Sequence, residues 1–314
     1  MDLGRLAQTI KSLFVTHRKA IQYVVVSLIF LLVGLSIYLN WQELAAYEWQ
    51  LDVPLFAVSL LLVSLVALSV AIWWVWSIRL MDRRLAWRKG IRIWTLAQLA
   101  KYLPGGVWNY ASRVYACDRE GVPTTHAAVS LVIETVLRIQ AAIAVFFFSF
   151  PWWPHQDWSV LELLLLISVL LSGFVILSPR ILRRIVNWGL RLLRRPSIDL
   201  GPLSHRDILM LLSGHIATVA GAGFAFYLMI NSIYRLPLQA AVPLTGMLSI
   251  SVILGFLNPL TPHGLGTREG LLVFLLGYYL PLPVGLVIAL LSRIWLTISE
   301  LLGLVIASLL SRTG

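Results

Sequence analysis

The sequence predicts an all-α polytopic membrane protein of about eight transmembrane helices, with re-entrant or broken helices near 93–110 and 258–270. Three observations carry that prediction. Of the 314 residues, 59% are apolar and only 12% charged, and the mean hydropathy is +0.85. A soluble domain carries roughly a quarter charged residues, and one water-soluble core of this length would need far more polar surface. Several apolar stretches reach the ~20 residues that carry a helix across ~30 Å of hydrocarbon. The alternating segments of ~10 residues that mark a transmembrane β-barrel are absent from the pattern. The apolar content excludes intrinsic disorder as well.

Charge places the spans. Residues 21–39 form the first, preceded by Arg5, Lys11, Arg18 and Lys19. This apolar run is longer than the 7–15 residues of a signal-peptide core, so it reads as a retained helix. The following loop, 40–52, holds Glu43, Glu48 and Asp52 and no Lys or Arg. Basic residues collect in cytoplasmic loops, so the N-terminus is expected inside. Span two, 53–78, ends in the interfacial cluster Trp73, Trp74 and Trp76. A basic loop follows with Arg79, Arg83, Arg84, Arg88, Lys89 and Arg92.

The segment 93–110 reads IWTLAQLAKYLPGGVWNY and is too polar and too broken for a span. Pro104 removes a donor, and Gly105 and Gly106 loosen the backbone. If it crossed, every later loop would invert. The loop 179–206, with Arg180, Arg183, Arg184, Arg191, Arg194, Arg195 and Arg206, would then lie outside. Reading 93–110 as re-entrant removes that conflict, since irregular backbone is tolerated at membrane depth where protein covers it or a wet cavity borders it. Span three is then 124–150 and span four 159–178. A basic interfacial helix covers 180–195. Span five is 207–230, Arg235 lies outside, and span six is 238–257. A second break follows, Asn258 to Gly270, with a half-span at 271–280. The last span, 283–310, returns Arg312 inside. The whole chain, 1–314, reads as a single membrane domain with both termini cytoplasmic.

The net charge of +11 would suggest nucleic acid in a soluble protein. Here it follows from basic loops facing anionic lipid, and no nucleic-acid partner is expected. Cys117 is the only cysteine, so an intrachain disulfide is impossible. No metal-ligand spacing, hydrolase elbow or nucleotide loop occurs, so no cofactor is expected. Gly264-Leu265-Gly266 lacks the strand and spacing of a dinucleotide loop. Instead the glycines expose backbone N–H groups where a helix begins near Thr267. Such a terminus attracts anions, and Arg268 adds a forked cation suited to phosphate. The competing reading is a structural break in which Arg268 bonds backbone or Glu269.

Lys101, Gly105, Gly106 and Arg113 repeat that chemistry in the first break. Lys101 either contacts a headgroup or snorkels to the interface. Glu134 and Arg138 share a helix face inside span three, in the favourable order. An ionisable pair at this depth is a functional candidate, or else a self-neutralising packing device. Arg293 and Glu300 share a face two turns apart in the last span, where they can meet Glu134 and Arg138. His215 in span five can hydrogen-bond a neighbour or take part in proton transfer.

LAKYLPGGVW, then Arg113, then Glu134, then PLTPHGLGTREG resemble the flippase-like transmembrane domain of lysylphosphatidylglycerol synthases over roughly residues 10–310. The resemblance implies a bundle of about eight helices with re-entrant segments, a lipid cavity, and movement of lipid between leaflets. It assigns the site to Lys101, Pro104, Gly105, Gly106, Arg113, Glu134, Gly264, Gly266, Arg268 and Glu269. It also implies a bacterial inner membrane. The chain ends at Gly314, without the soluble aminoacyl-transferring domain of the synthases, so no enzyme activity is expected.

The leading expectation is a translocase for an anionic or phosphate-bearing lipid, either a phospholipid or a polyprenyl-phosphate-linked one. With no nucleotide site, the drive would be a gradient, proton coupling or downhill exchange. A second is a lipid-presenting subunit for a lipid- or glycan-synthesising enzyme. A third, a polyprenyl-phosphate transferase using Glu43, Glu48 or Asp52, ranks last because those acids form no tight pair.

Overall fold

The computed structural model describes residues 27, 31, 34–35, 38–47, 49–81, 83–101, 107–154, 204–258, 261 and 264–312, and also 181, 183–184, 187–188 and 191. The expected fourth span at 159–178, and Pro104, Gly105 and Gly106, lie outside the described residues. The expected first span and the basic helix at 180–195 are described only at scattered positions, all of them helical.

Every regular element among the described residues is helical. They are α1 (Trp41–Ala46), α2 (Val53–Leu80), α3 (Trp87–Ala100), α4 (Trp108–Arg119), α5 (Thr124–Ser149), α6 (His205–Asn231), α7 (Ala241–Leu257), α8 (Thr267–Leu276) and α9 (Leu282–Arg312), with short 3-10 turns at Phe150–Trp152 and Leu238–Ala240. Among the described residues, five stretches are long and apolar enough to cross a membrane, namely α2, α5 with its 3-10 extension, α6, α7 with its leading turn, and α9. The protein is a polytopic α-helical membrane protein. Its outward side chains fit lipid: Leu61, Leu65, Phe148, Phe224, Val305 and Leu309 are all exposed.

The chain forms two compact units, Gln50–Ile250 with Ser292–Gly314, and Met1–Trp49 with Ser251–Leu291. In the larger, α2 starts on a strong stop-and-start signal. The Asp52 carboxylate accepts the Leu55 N–H at 3.1 Å, and Pro54 occupies the first turn, where its missing donor costs nothing. The Asp52 N–H donates to the Ser232 carbonyl at 2.7 Å, and Arg235 reaches the Asp52 carboxylate at 2.8 Å. The start of α2 therefore meets the end of α6. Further along, Trp73 packs on Gly214 and Val66 on Gly221. Those pairs run in opposite senses, so α2 and α6 are antiparallel. The glycines permit the close approach, since a Cβ at Gly214 would sit inside the Trp73 indole.

At its other end α2 meets the start of α5, where Arg83 Nη2 and His126 Nε2 are 3.3 Å apart. Trp74 Nε1 donates to Ser130 Oγ at 3.0 Å, with both groups buried. In α9, Trp295 Nε1 donates to Ser59 Oγ at 3.1 Å, and Gly303 faces Leu68. These two pairs advance together, so α9 runs parallel to α2, and Arg312 lies at the same end as Arg79. The start of α6, the start of α5, and the ends of α2 and α9 thus share one face. We call it the basic face.

Helices α3 and α4 form a hairpin rooted on that face. Lys89, at the start of α3, pairs with Glu120, just past α4, at 2.6 Å. The two helices hold 14 and 12 residues. At 1.5 Å per residue they rise about 21 and 18 Å, short of the ~30 Å a span requires. The chain therefore enters and leaves on one face, as the charge argument required. Gly90 lets α3 lie against α2, because a Cβ there would collide with Val75 and Leu85. Trp74, Val75, Ile78, Trp94, Cys117 and Leu131 form a common core between the hairpin, α2 and α5.

The smaller unit contains the second break. Gly264 has φ 66° and Gly266 φ 81°, in the region that L side chains avoid. A Cβ on Gly264 would strike the Gly255 backbone. The last turn of α7 and the approach to α8 therefore touch backbone to backbone. Asn258 Nδ2 donates to Thr261 Oγ1 at 3.0 Å and to Thr267 Oγ1 at 2.5 Å.

Candidate functional site

Within the larger unit, charged side chains gather at mid-membrane depth. Helix α3 lifts Lys101, at its C-terminal cap, about 21 Å from the basic face. Arg138 lies at a similar height on α5, about 21 Å beyond Thr124. Glu300 is about 18 Å from the Arg312 end of α9. A charged group at that level is costly unless it is paired or wet, and such groups mark substrate paths by default.

The buried centre is Glu134. Its Oε2 accepts from Arg113 Nη1 at 2.5 Å, and its Oε1 accepts from Trp94 Nε1 at 3.1 Å. Arg138, one turn further along α5, approaches Oε1 at 3.7 Å. Arg113 and Glu134 are only 3% and 2% exposed, whereas Arg138 is 48% exposed. Arg113 also donates to Asn109 Oδ1 at 3.1 Å and lies over the rings of Trp74 and Tyr110, with centroid distances of 5.3 and 5.8 Å. One carboxylate thus locks α3, α4 and α5 together, and still carries a second arginine that faces outward. That leaves the centre positive.

At the upper end of α3, Lys101 pairs with Glu300 of α9. The charges of Arg138 and Arg293 act on this lysine as well. His215 of α6 is buried among the same groups, within reach of the Arg138 and Glu134 charges. Its Nδ1 has no partner among the described residues, nor has Arg113 Nε. The cluster therefore joins four basic side chains, Lys101, Arg113, Arg138 and Arg293, to two carboxylates, Glu134 and Glu300. It can hold an anion without adding a net charge to the membrane interior. Arg138 is half exposed, and Lys101 and Arg293 are partly exposed, so all three are accessible cations.

The structure thus brings together Lys101, Arg113, Glu134, Arg138, Arg293 and Glu300. Glu300 takes Lys101, while Glu134 takes Arg113 and Arg138. Lys101 does not snorkel to the basic face; it sits at the opposite end of α3. Trp94 and Asn109 were not foreseen. The signal for Asn109 was present, since it precedes Arg113 by one helical turn.

Gly264, Gly266, Arg268 and Glu269 lie together in the smaller unit. The Gly266 N–H donates to Glu269 Oε2 at 2.8 Å, which satisfies a donor that the start of α8 would otherwise leave open. Arg268 Nη1 is 3.7 Å from Glu269 Oε1, and both residues are buried. The Arg268–Glu269 contact belongs to the structural reading of this break. Elsewhere, burial pushes the Cys117 thiol up to about 11, so it is protonated and inert at neutral pH.

Fold and site together define a polytopic helical membrane protein with ionisable groups paired inside its helix bundle. The particular family follows from the sequence: the family model for the lysylphosphatidylglycerol synthase TM region matches residues 20–302, and the chain belongs to that family. No curated protein matches the chain.

Proposed function

We propose that this protein is a lipid translocase that moves an anionic, phosphate-bearing lipid between leaflets and makes or breaks no covalent bond. The observation that carries this reading is the mid-membrane cluster of Lys101, Arg138 and Arg293 with Glu300 and Glu134. A phosphate in hydrocarbon without partners is prohibitively costly. Cations already held in place remove most of that cost, and the carboxylates partly compensate them while the site is empty. In this mechanism the headgroup phosphate competes with Glu300 for Lys101, and Arg138 offers a second, exposed donor. The tails stay in lipid throughout. Membership of a lysylphosphatidylglycerol synthase TM family supports lipid as the cargo. In this reading the basic face is cytoplasmic by the positive-inside rule, with both termini on that side of the cell inner membrane.

The test is transport by the pure chain in liposomes containing fluorescent phosphatidylglycerol and a membrane-impermeant quencher. Wild type should speed equilibration of the label between leaflets, and Arg138→Gln should return it to the rate of empty liposomes. Equal rates for the two proteins would remove the cluster from the path. No acceleration by wild type, together with constant co-purification of one lipid- or glycan-synthesising enzyme, would favour a lipid-presenting subunit instead.

A further inference from the structure

Where the hairpin is rooted, Arg79, Arg84, Leu85, Ala86, Lys89 and Glu120 line a depression of about 520 Å³. That is a volume in the range of small-molecule sites. Three cations line it against one carboxylate, and the Glu120 carboxylate is already engaged by Lys89. Its level in the membrane follows from α2. A helix of 28 residues is about 42 Å long, so it overreaches ~30 Å of hydrocarbon by several ångströms at each end. Arg79, in its last turn, therefore stands at headgroup height. The aromatic neighbours agree: the Arg79 guanidinium lies 4.9 Å from the ring centroid of Trp87, which stacks on Trp76 at 5.8 Å. Tryptophans at this position mark the boundary between tails and headgroups.

We infer that this depression is a second lipid site, holding the phosphodiester headgroup of an anionic phospholipid from the leaflet on the basic face. Arg79 and Arg84 take the phosphate, and Trp76 and Trp87 border the upper chains. The site is separate from the mid-membrane cluster, because α3 places Lys89 and Lys101 near opposite ends of one helix. It is assembled from the end of α2, the start of α3 and the residue after α4. A headgroup bound there braces the base of the re-entrant hairpin. The inference does not depend on lipid being transported.

The test uses the full chain carrying Lys101→Gln, which weakens the central site, in nanodiscs of either phosphatidylglycerol or phosphatidylcholine. Native mass spectrometry then reads the lipid retained after release from the disc. Phosphatidylglycerol should be retained well above phosphatidylcholine. With roughly fivefold per basic residue near an anionic surface, Arg84→Gln should cut retention about fivefold, and Arg79→Gln with Arg84→Gln and Lys89→Gln about a hundredfold. A control, Arg184→Gln with Arg191→Gln, removes exposed charge from another basic segment and should keep the lipid. Three results would each overturn the inference. They are equal retention of the two lipids, loss in the control as large as in the triple variant, and unchanged retention with loss of an acidic protein that co-purifies. Should the triple variant misfold, the exposed single change Arg84→Gln decides alone.

Discussion

The break between α3 and α4 and the break between α7 and α8 are built differently. The first, between α3 and α4, carries its charge to a helix C-terminus and spends it on other helices: Lys101 pairs with Glu300 and Arg113 with Glu134. The second, between α7 and α8, makes local contacts among its described residues. Asn258 bonds Thr261 and Thr267, Glu269 caps Gly266, and Gly264 rests on Gly255. Similar sequence chemistry, proline and glycine followed by an arginine, thus serves two ends. One break gathers charge from distant helices and suits a ligand that competes for it. The other holds two glycines of positive φ against the end of α7.

That contrast can be broken at four points, taken from the largest expected effect on stability to the smallest. Glu134→Ala strands Arg113 in the core and should cost about 3–5 kcal/mol, read as a fall in the thermal unfolding midpoint in detergent. Adding Arg113→Met should recover part of that loss, and a fully additive double variant would show that the two residues are not coupled. Gly264→Ala should cost about 1–2 kcal/mol from the left-handed backbone alone, and more from the collision with Gly255. An unaffected midpoint would mean that Gly264 is not held against the end of α7.

Lys101→Gln separates stability from transport. Glutamine keeps a donor for Glu300, so stability should fall by less than in Glu134→Ala while lipid movement falls to background. A variant that transports normally would make Lys101 a tether only. Arg235→Gln removes a partner of Asp52 on the face opposite the basic one. With its side chain 74% exposed, stability should change by about 0.5 kcal/mol or less and transport should persist. Loss of transport in this variant would relocate the functional site.

Much of this was legible in the sequence, because hydrophobic length and charge placement are local properties. Helix α2 begins at Val53, where Asp52 and Pro54 announce it. The re-entrant hairpin followed from counting arginines between 179 and 206, and the Lys89–Glu120 pair supplies its physical closure. The Glu134–Arg138 pairing was readable because helical spacing fixes it. The contacts of Glu134 with Arg113 and Trp94 were not, since they depend on how α3 and α4 fold back onto α5. Nor did the sequence reveal that Lys101 reaches Glu300, because nearly two hundred residues lie between them. Periodicity says which face a charge occupies, and only packing says what meets that face.

The most direct test is to locate lipid in the protein embedded in nanodiscs of phosphatidylglycerol, by electron cryomicroscopy of wild type. Headgroup density between Lys101, Arg138 and Arg293, within hydrogen-bond distance of at least one of them and absent from the Lys101→Gln protein, is the predicted result. A cluster closed by its own ion pairs and occupied by water alone, in a preparation that moves lipid, would contradict the account.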